Sequence, residues 1–239
     1  YQADKDPLLK LPENVGAGSV RLGISGESFN INGEYAYKAN DPSYTNLNSY
    51  NSGNGLLIQT SYFTDGLGIN LNFHRIDNMD FRAERNAIGT VLNINYLPPI
   101  TKQHTYGLTA MYPYSTQLNG EIGVQMEVNY TFPKSTFMGG KYPWQFTLNF
   151  SNLNSIDTVH TSKYLYDSEF GFGKKTFFQD ISLYAYKKFS PDVKSNFGFV
   201  YQKYDRDIAE KGGAPTFGMV TVMTAVADMT FKVANRQSL

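Results

Sequence analysis

Three arginines and three acids fall within eleven residues, Arg75-Ile76-Asp77-Asn78-Met79-Asp80-Phe81-Arg82-Ala83-Glu84-Arg85. A loop of this charge density can fold into a pore and narrow it, as rings of charged side chains do in selective channels. The same charges (Arg75, Asp77, Asp80, Arg82, Glu84 and Arg85) also suit a solvated external loop with internal ion pairs, each worth little. Glu121 and Glu127 form a second candidate set, with Gln125 between them. Paired carboxylates can do acid–base work. On one strand, at about 3.4 Å per residue, these two stand too far apart to share a proton, and hydration of a wet face is the plainer role.

Other sources of chemistry are thin. His74, His104 and His160 stand apart without ligand-like spacing. There is no cysteine, hence no disulfide, thiolate metal site or Cys nucleophile. No Gly-x-Ser-x-Gly elbow occurs. Gly171-Phe172-Gly173 lacks the strand–turn–helix setting of a phosphate loop. Tyrosines cluster at Tyr44 and Tyr50, Tyr112 and Tyr114, and Tyr164 and Tyr166, where they can stack on sugars or simply on one another. The expectation is a non-enzyme with no metal or cofactor.

The elements that carry these residues read as strands. From Glu121 to Phe132 every second residue is apolar: Ile122, Val124, Met126, Val128, Tyr130 and Phe132. Alternate side chains of a strand face opposite ways, so this segment has one apolar and one wet face throughout. Its length exceeds the usual strand of about 5–6 residues and suits a bilayer-crossing strand of about 9–11. Similar patterns predict about eleven strands, with ends good to about 2–4 residues: 19–25, 29–39, 55–63, 67–74, 88–96, 104–112, 121–132, 142–151, 177–188, 193–204 and 218–232. The connections largely alternate between short and long, with the middle pair ambiguous. Asp65-Gly66 is a favoured hairpin turn. Outer-membrane barrels alternate in this way because tight turns lie at one rim and longer loops at the other.

Composition agrees. Lys+Arg and Asp+Glu are both 21, which argues against a nucleic-acid partner, since such proteins carry a basic excess. Mean hydropathy is −0.38, which excludes a helical membrane protein but not a barrel, where half of each strand faces the lumen. Aromatics make up 15% of the chain, enough for interfacial girdles and equally for a secreted sugar-binding sandwich.

Alternation assigns the faces. Leu67, Ile69, Leu71 and Phe73, Ile122, Val124, Met126 and Val128, Trp144, Phe146, Leu148 and Phe150, Phe197, Phe199 and Tyr201, and also Leu92, Ile94 and Tyr96 form the lipid side. Asn70, Asn72, His74, Asn93, Asn95, Glu121, Gln125, Glu127, Asn129, Gln145 and Asn149 form the candidate lumen lining. A cation on the lipid side near the midplane costs about 2–4 kcal/mol, which fixes the orientation. In the last strand Val220, Val222 and Val226 stand opposite Met219, Met223 and Ala225, a pattern suited to an inner side that faces protein.

Several stretches together resemble a known family. They are Gly33-Glu34-Tyr35-Ala36-Tyr37-Lys38 with Asn40-Asp41-Pro42, Arg75 to Arg82, Tyr96-Leu97-Pro98-Pro99 running into Thr101 to Tyr106, and Tyr112-Pro113-Tyr114 leading to Asn119-Gly120-Glu121. In these the chain is similar to Bacteroidetes outer-membrane β-barrel proteins of unknown function, from about Val20 to Val233. The resemblance implies a fold and a location and no catalytic residues. Members of the family look longer than this chain. That agrees with the odd strand count and with an end, Arg236-Gln237-Ser238-Leu239, lacking the aromatic of a closing strand.

The expectation is therefore one all-β domain over 1–239, an antiparallel up-and-down transmembrane barrel that is part of a larger one; a miscounted strand is the other explanation. Its expected function is a porin-like channel, or a barrel subunit of an envelope complex, in the outer membrane. Its partners would be outer-membrane lipid, other envelope proteins and small polar solutes. The alternative is a secreted or surface-anchored β-sandwich binding glycans through the Tyr-rich loops. A surface protease or lipase built on a barrel would need converging carboxylates, or Ser with His, at one rim, and no compelling set exists.

Overall fold

The computed structural model describes residues 9–85, 92–211, 217–234 and 237–238. The strands are β1 (Ala17–Ser25), β2 (Phe29–Lys38), β3 (Gly53–Thr64), β4 (Leu67–Asp77), β5 (Glu121–Thr131), β6 (Gln145–Asn154), β7 (Thr158–His160), β8 (Tyr166–Ser168), β9 (Thr176–Lys188), β10 (Val193–Asp205), β11 (Met219–Ala234) and β12 (Gln237–Ser238). The described helical structure is one 3₁₀ turn, Tyr44–Asn46, and one short helix, α1 (Arg206–Lys211). Ten strands form a single sheet in the order β1-β2-β3-β4-β5-β6-β9-β10-β11-β12, and β7 and β8 make a separate hairpin. Every pairing is antiparallel. The architecture is thus an all-β meander, as the alternation predicts. The sheet is open: β1 and β12 are its two edges.

One predicted strand, 104–112, is corrected, and so is the described part, 92–96, of another. Residues 104–112 hold turns and bends, and described residues 92–96 hold only an isolated bridge, Arg82 to Asn93; residues 88–91 of the predicted 88–96 strand lie outside the described residues. The cause is the direct pairing of β4 with β5, from Leu67↔Tyr130 to Ile76↔Glu121. Both edges available to the intervening chain are thereby occupied, so 78–120 becomes one long connection. This also resolves the ambiguous pair of loops. The connections 26–28, 65–66, 132–144 and 189–192 lie at one end of the sheet, and 39–52, 78–120, 155–175 and 206–218 lie at the other.

The Asp65-Gly66 turn shows how tight the first end is. Gly66 adopts φ +77°, in the left-handed region that costs other L-residues about 1–2 kcal/mol. A Cβ there would also stand 2.8 Å from the Thr131 carbonyl oxygen, whose own N–H donates to the Gly66 carbonyl at 2.7 Å. Gly66→Ala is expected to destabilise the protein by about 1–2 kcal/mol, read as a lower urea midpoint at unchanged slope.

Register gives the sheet two distinct faces. Leu71, Met126, Phe150, Ile181, Tyr201 and Met223 align in one row across β4, β5, β6, β9, β10 and β11. A neighbouring row holds Ile69, Val128, Leu148, Leu183, Phe199 and Ala225. This apolar face is uncovered: Leu22 is 76% exposed, Met223 67% and Phe199 51%. The separate β7–β8 hairpin meets this face at its long-loop end, where Ser168 bonds Arg75 and Tyr166 bonds Asp77. Toward the long-loop end the same face turns polar, with Asn152, Gln179 and Lys203 in register. The opposite face is polar and largely buried, inverting the usual arrangement of a soluble protein.

Candidate functional site

The buried polar face centres on two carboxylates. Glu121 opens β5 and is fully buried. One of its oxygens lies 2.7 Å from His74 Nε2 on β4. The other accepts from the Tyr114 hydroxyl and, at 2.8 Å, from the Gln117 amide. Burial, and then the neighbouring carboxylate, push the Tyr114 hydroxyl well up, so it stays protonated and donates. Asp180 on β9 is also fully buried. It accepts from Asn149 Nδ2 at 2.8 Å and Gln202 Nε2 at 3.0 Å, and lies 2.6 Å from His104 Nε2. His104 Nδ1 in turn meets the Tyr184 hydroxyl at 3.1 Å.

Most of the partners of this face come from one stretch, 100–117, folded back from the long-loop end across the sheet. Ile100 joins a cluster with Tyr114, Leu153, Phe177, Phe178 and Tyr204. Lys102 Nζ donates to Glu127 at 2.5 Å. The Tyr106 hydroxyl donates to Asp228 of β11 at 3.1 Å and accepts from Asn196 of β10 at 2.9 Å. The Tyr106 ring stacks on Tyr184 with centroids 6.3 Å apart. Gly198 makes room for that stack, because a Cβ there would stand 2.4 Å from the Tyr184 ring. Ile100, Lys102, His104 and Tyr106 are alternate residues. They run with strand-like spacing, but side chains dock them on the sheet instead of a backbone ladder.

The expected lumen set divides clearly. Asn70, Asn72 and His74 of β4, Glu121, Gln125, Glu127 and Asn129 of β5, and Gln145 and Asn149 of β6 share this polar face. They are linked side chain to side chain, as from Asn72 to Gln125 at 3.1 Å and Gln125 to Asn149 at 3.1 Å. Asn93 and Asn95 stand apart from them. They lie on the 78–120 connection, where Asn93 bridges Arg82 and Asn95 Nδ2 donates to the Met79 carbonyl at 2.7 Å. Leu92, Ile94 and Tyr96, expected on the lipid side, lie on that connection too. In β11, Val220, Val222 and Val226 share the inner side with Asp228, and Asp228 meets Tyr106.

The expected constriction set divides as well. Arg75 and Asp77 occupy odd positions of β4, which point to the outer face. There Arg75 donates to Asn54 at 2.9 Å and Ser168 at 2.8 Å, and Asp77 accepts from the Tyr166 hydroxyl at 2.7 Å. Burial, then this bond, push the Tyr166 hydroxyl up. Asp80 pairs with Arg82 at 3.1 Å, and Arg85 pairs with Asp41 at 2.8 Å. Glu84 stands beside them in the same segment. With Lys38, which donates to the Asp80 carbonyl at 2.6 Å, the cluster ties the loops of the long-loop end together.

His104, Asp180, Lys102, Tyr106, Tyr184 and Asp228 complete the site, and sequence reasoning missed them. The available signal was the alternation of 100–106 next to a polar strand face. Among the described residues no group of three or more His, Cys, Asp or Glu side chains could hold a metal ion. No helix is long and apolar enough to cross a membrane, which says nothing of a strand-built span. Residues 1–239, the full chain, match the model of a family of unknown function, DUF6029. No curated protein matches the chain.

Proposed function

The chain belongs to the DUF6029 family, and from that footing we propose that it forms the wall of an outer-membrane β-barrel acting as a porin-like channel, or as such a barrel within an envelope complex. The carrying observation is the inversion of the sheet: rows of exposed apolar side chains on one face and a buried polar network on the other. In water such a face marks an interaction surface; in a bilayer it is the lipid side. The segment 100–117 lies on what would be the lumen face and narrows it beside β4–β6 and β9–β11. The inner sides of β1–β3, with Arg21, Asn32, Glu34 and Gln59, are left as the open lane for small polar solutes.

Heat-modifiability tests the barrel. Protein extracted from envelope membranes in mild detergent is expected to change mobility on SDS gels after boiling; release without detergent and an unchanged mobility would overturn the reading. The narrowing has its own test. Lys102→Ala combined with Tyr106→Phe removes two of the links between segment and wall, and is expected to raise single-channel conductance in planar bilayers. An unchanged conductance would remove the segment from the pathway.

A further inference from the structure

The chain has no net charge, yet its lysines are unevenly placed. At the short-turn rim of β5–β11 stand Lys134 and Lys141 in the 132–144 turn, Lys187 and Lys188 ending β9, Lys194 on β10 and Lys232 on β11, against Asp192 alone. The 155–175 connection at the other end carries three lysines and three acids (Lys163, Lys174, Lys175; Asp157, Asp167, Glu169).

Beneath the lysines runs an aromatic margin to the apolar face. Tyr130 meets Phe132 edge-on at 5.0 Å, Phe132 meets Phe146 at 5.7 Å, and Trp144 stacks on Phe146 at 6.0 Å. Lys187 Nζ lies 5.3 Å from the Trp144 ring centroid and donates to the Tyr142 carbonyl at 2.7 Å. Lys141 and Lys188 both stand over the Tyr142 ring, at 5.5 and 5.2 Å. Phe137, at the tip of the same turn, is fully exposed. Apolar face, aromatic ring and ammonium thus follow one another in the order of a leaflet's acyl chains, interface and phosphates. Rings of this kind favour the interface, and lysines there attract anionic headgroups.

We propose that the short-turn rim formed by Lys141, Lys187, Lys188, Tyr142 and Trp144 is a docking surface for the phosphate headgroups of anionic phospholipids. The proposal rests on the membrane reading above and adds a lipid class and a rim. Charge complementarity selects the occupant: three ammonium groups converge on one turn, each within 5.5 Å of an aromatic ring centroid.

Trp144 is the only tryptophan in the chain, so its fluorescence reports on this site alone. The protein is reconstituted in phosphatidylcholine vesicles containing a minor fraction of either brominated phosphatidylglycerol or brominated phosphatidylcholine. Brominated phosphatidylglycerol is expected to associate beside Trp144 about three- to ten-fold more strongly, given the worth of a lysine near an anionic surface. The preference should shrink in high salt and be largely lost in a Lys141→Gln, Lys187→Gln, Lys188→Gln variant that keeps its heat-modifiability. Equal quenching by both lipids would overturn the headgroup site and leave the membrane reading standing. No quenching by either would put Trp144 outside the bilayer and overturn both.

Discussion

Asp180→Ala is expected to lower the stability of the folded protein by about 3–5 kcal/mol. Asp180 is fully buried and joins three elements: Asn149 of β6, Gln202 of β10 and His104 of the inward segment. Alanine leaves all three groups facing an apolar gap, and a buried donor stripped of its acceptor costs about 1–3 kcal/mol. Asp228→Ala is the matched control. Asp228 is exposed and accepts one hydroxyl from the same segment, so its loss should fall within about 1 kcal/mol. The measurement is urea unfolding in lipid vesicles. A double-mutant cycle with His104→Ala separates clamp from wall, because side chains that share a hydrogen bond couple by about 0.5–3 kcal/mol. Equal, small losses for Asp180→Ala and Asp228→Ala would mean that the network does not hold the segment in place.

That network marks where the sequence stops being legible. Strand periodicity is local, and among the described residues nine of the eleven predicted strands exist, including β5, whose alternation is unbroken from Glu121 to Thr131. Its polar parity puts Asn72, Gln125 and Asn149 on a common face without knowledge of their partners. The predicted strand 104–112 and the described part of 88–96 fail for a tertiary reason. Their alternation is genuine, but β4 and β5 take each other as neighbours, and strand propensity yields to what the surroundings offer. The clamp was hidden for a different reason. His104 and Asp180 are 76 residues apart, Tyr106 and Asp228 122 apart, and no spacing rule joins them. In the charged run from Arg75 to Arg85 the density of charge was visible and its direction was not. Strand parity turns Arg75 and Asp77 outward, away from the face where a constriction would form.

Leu183→Arg separates a lipid-facing wall from a water-facing one. Leu183 is 45% exposed and sits between Leu148 and Phe199 in the middle of the apolar band, with Gln179 and Lys187 marking the polar margins on its own strand. If the face meets water, an arginine at so open a position changes stability by no more than about 0.5 kcal/mol. If it meets hydrocarbon, the guanidinium near the midplane costs about 2–4 kcal/mol. The expected result is the larger loss, seen as a smaller fraction of the heat-modifiable form after reconstitution and a lower urea midpoint. Gln179→Arg, at the margin, should cost only about 0–1 kcal/mol. The contrast between the two sites carries the inference, since both place the same charge on the same face of β9. An arginine tolerated equally at 179 and 183 would show that the band is not in contact with lipid. The exposed rows of Leu, Ile and Phe would then need a protein partner to cover them.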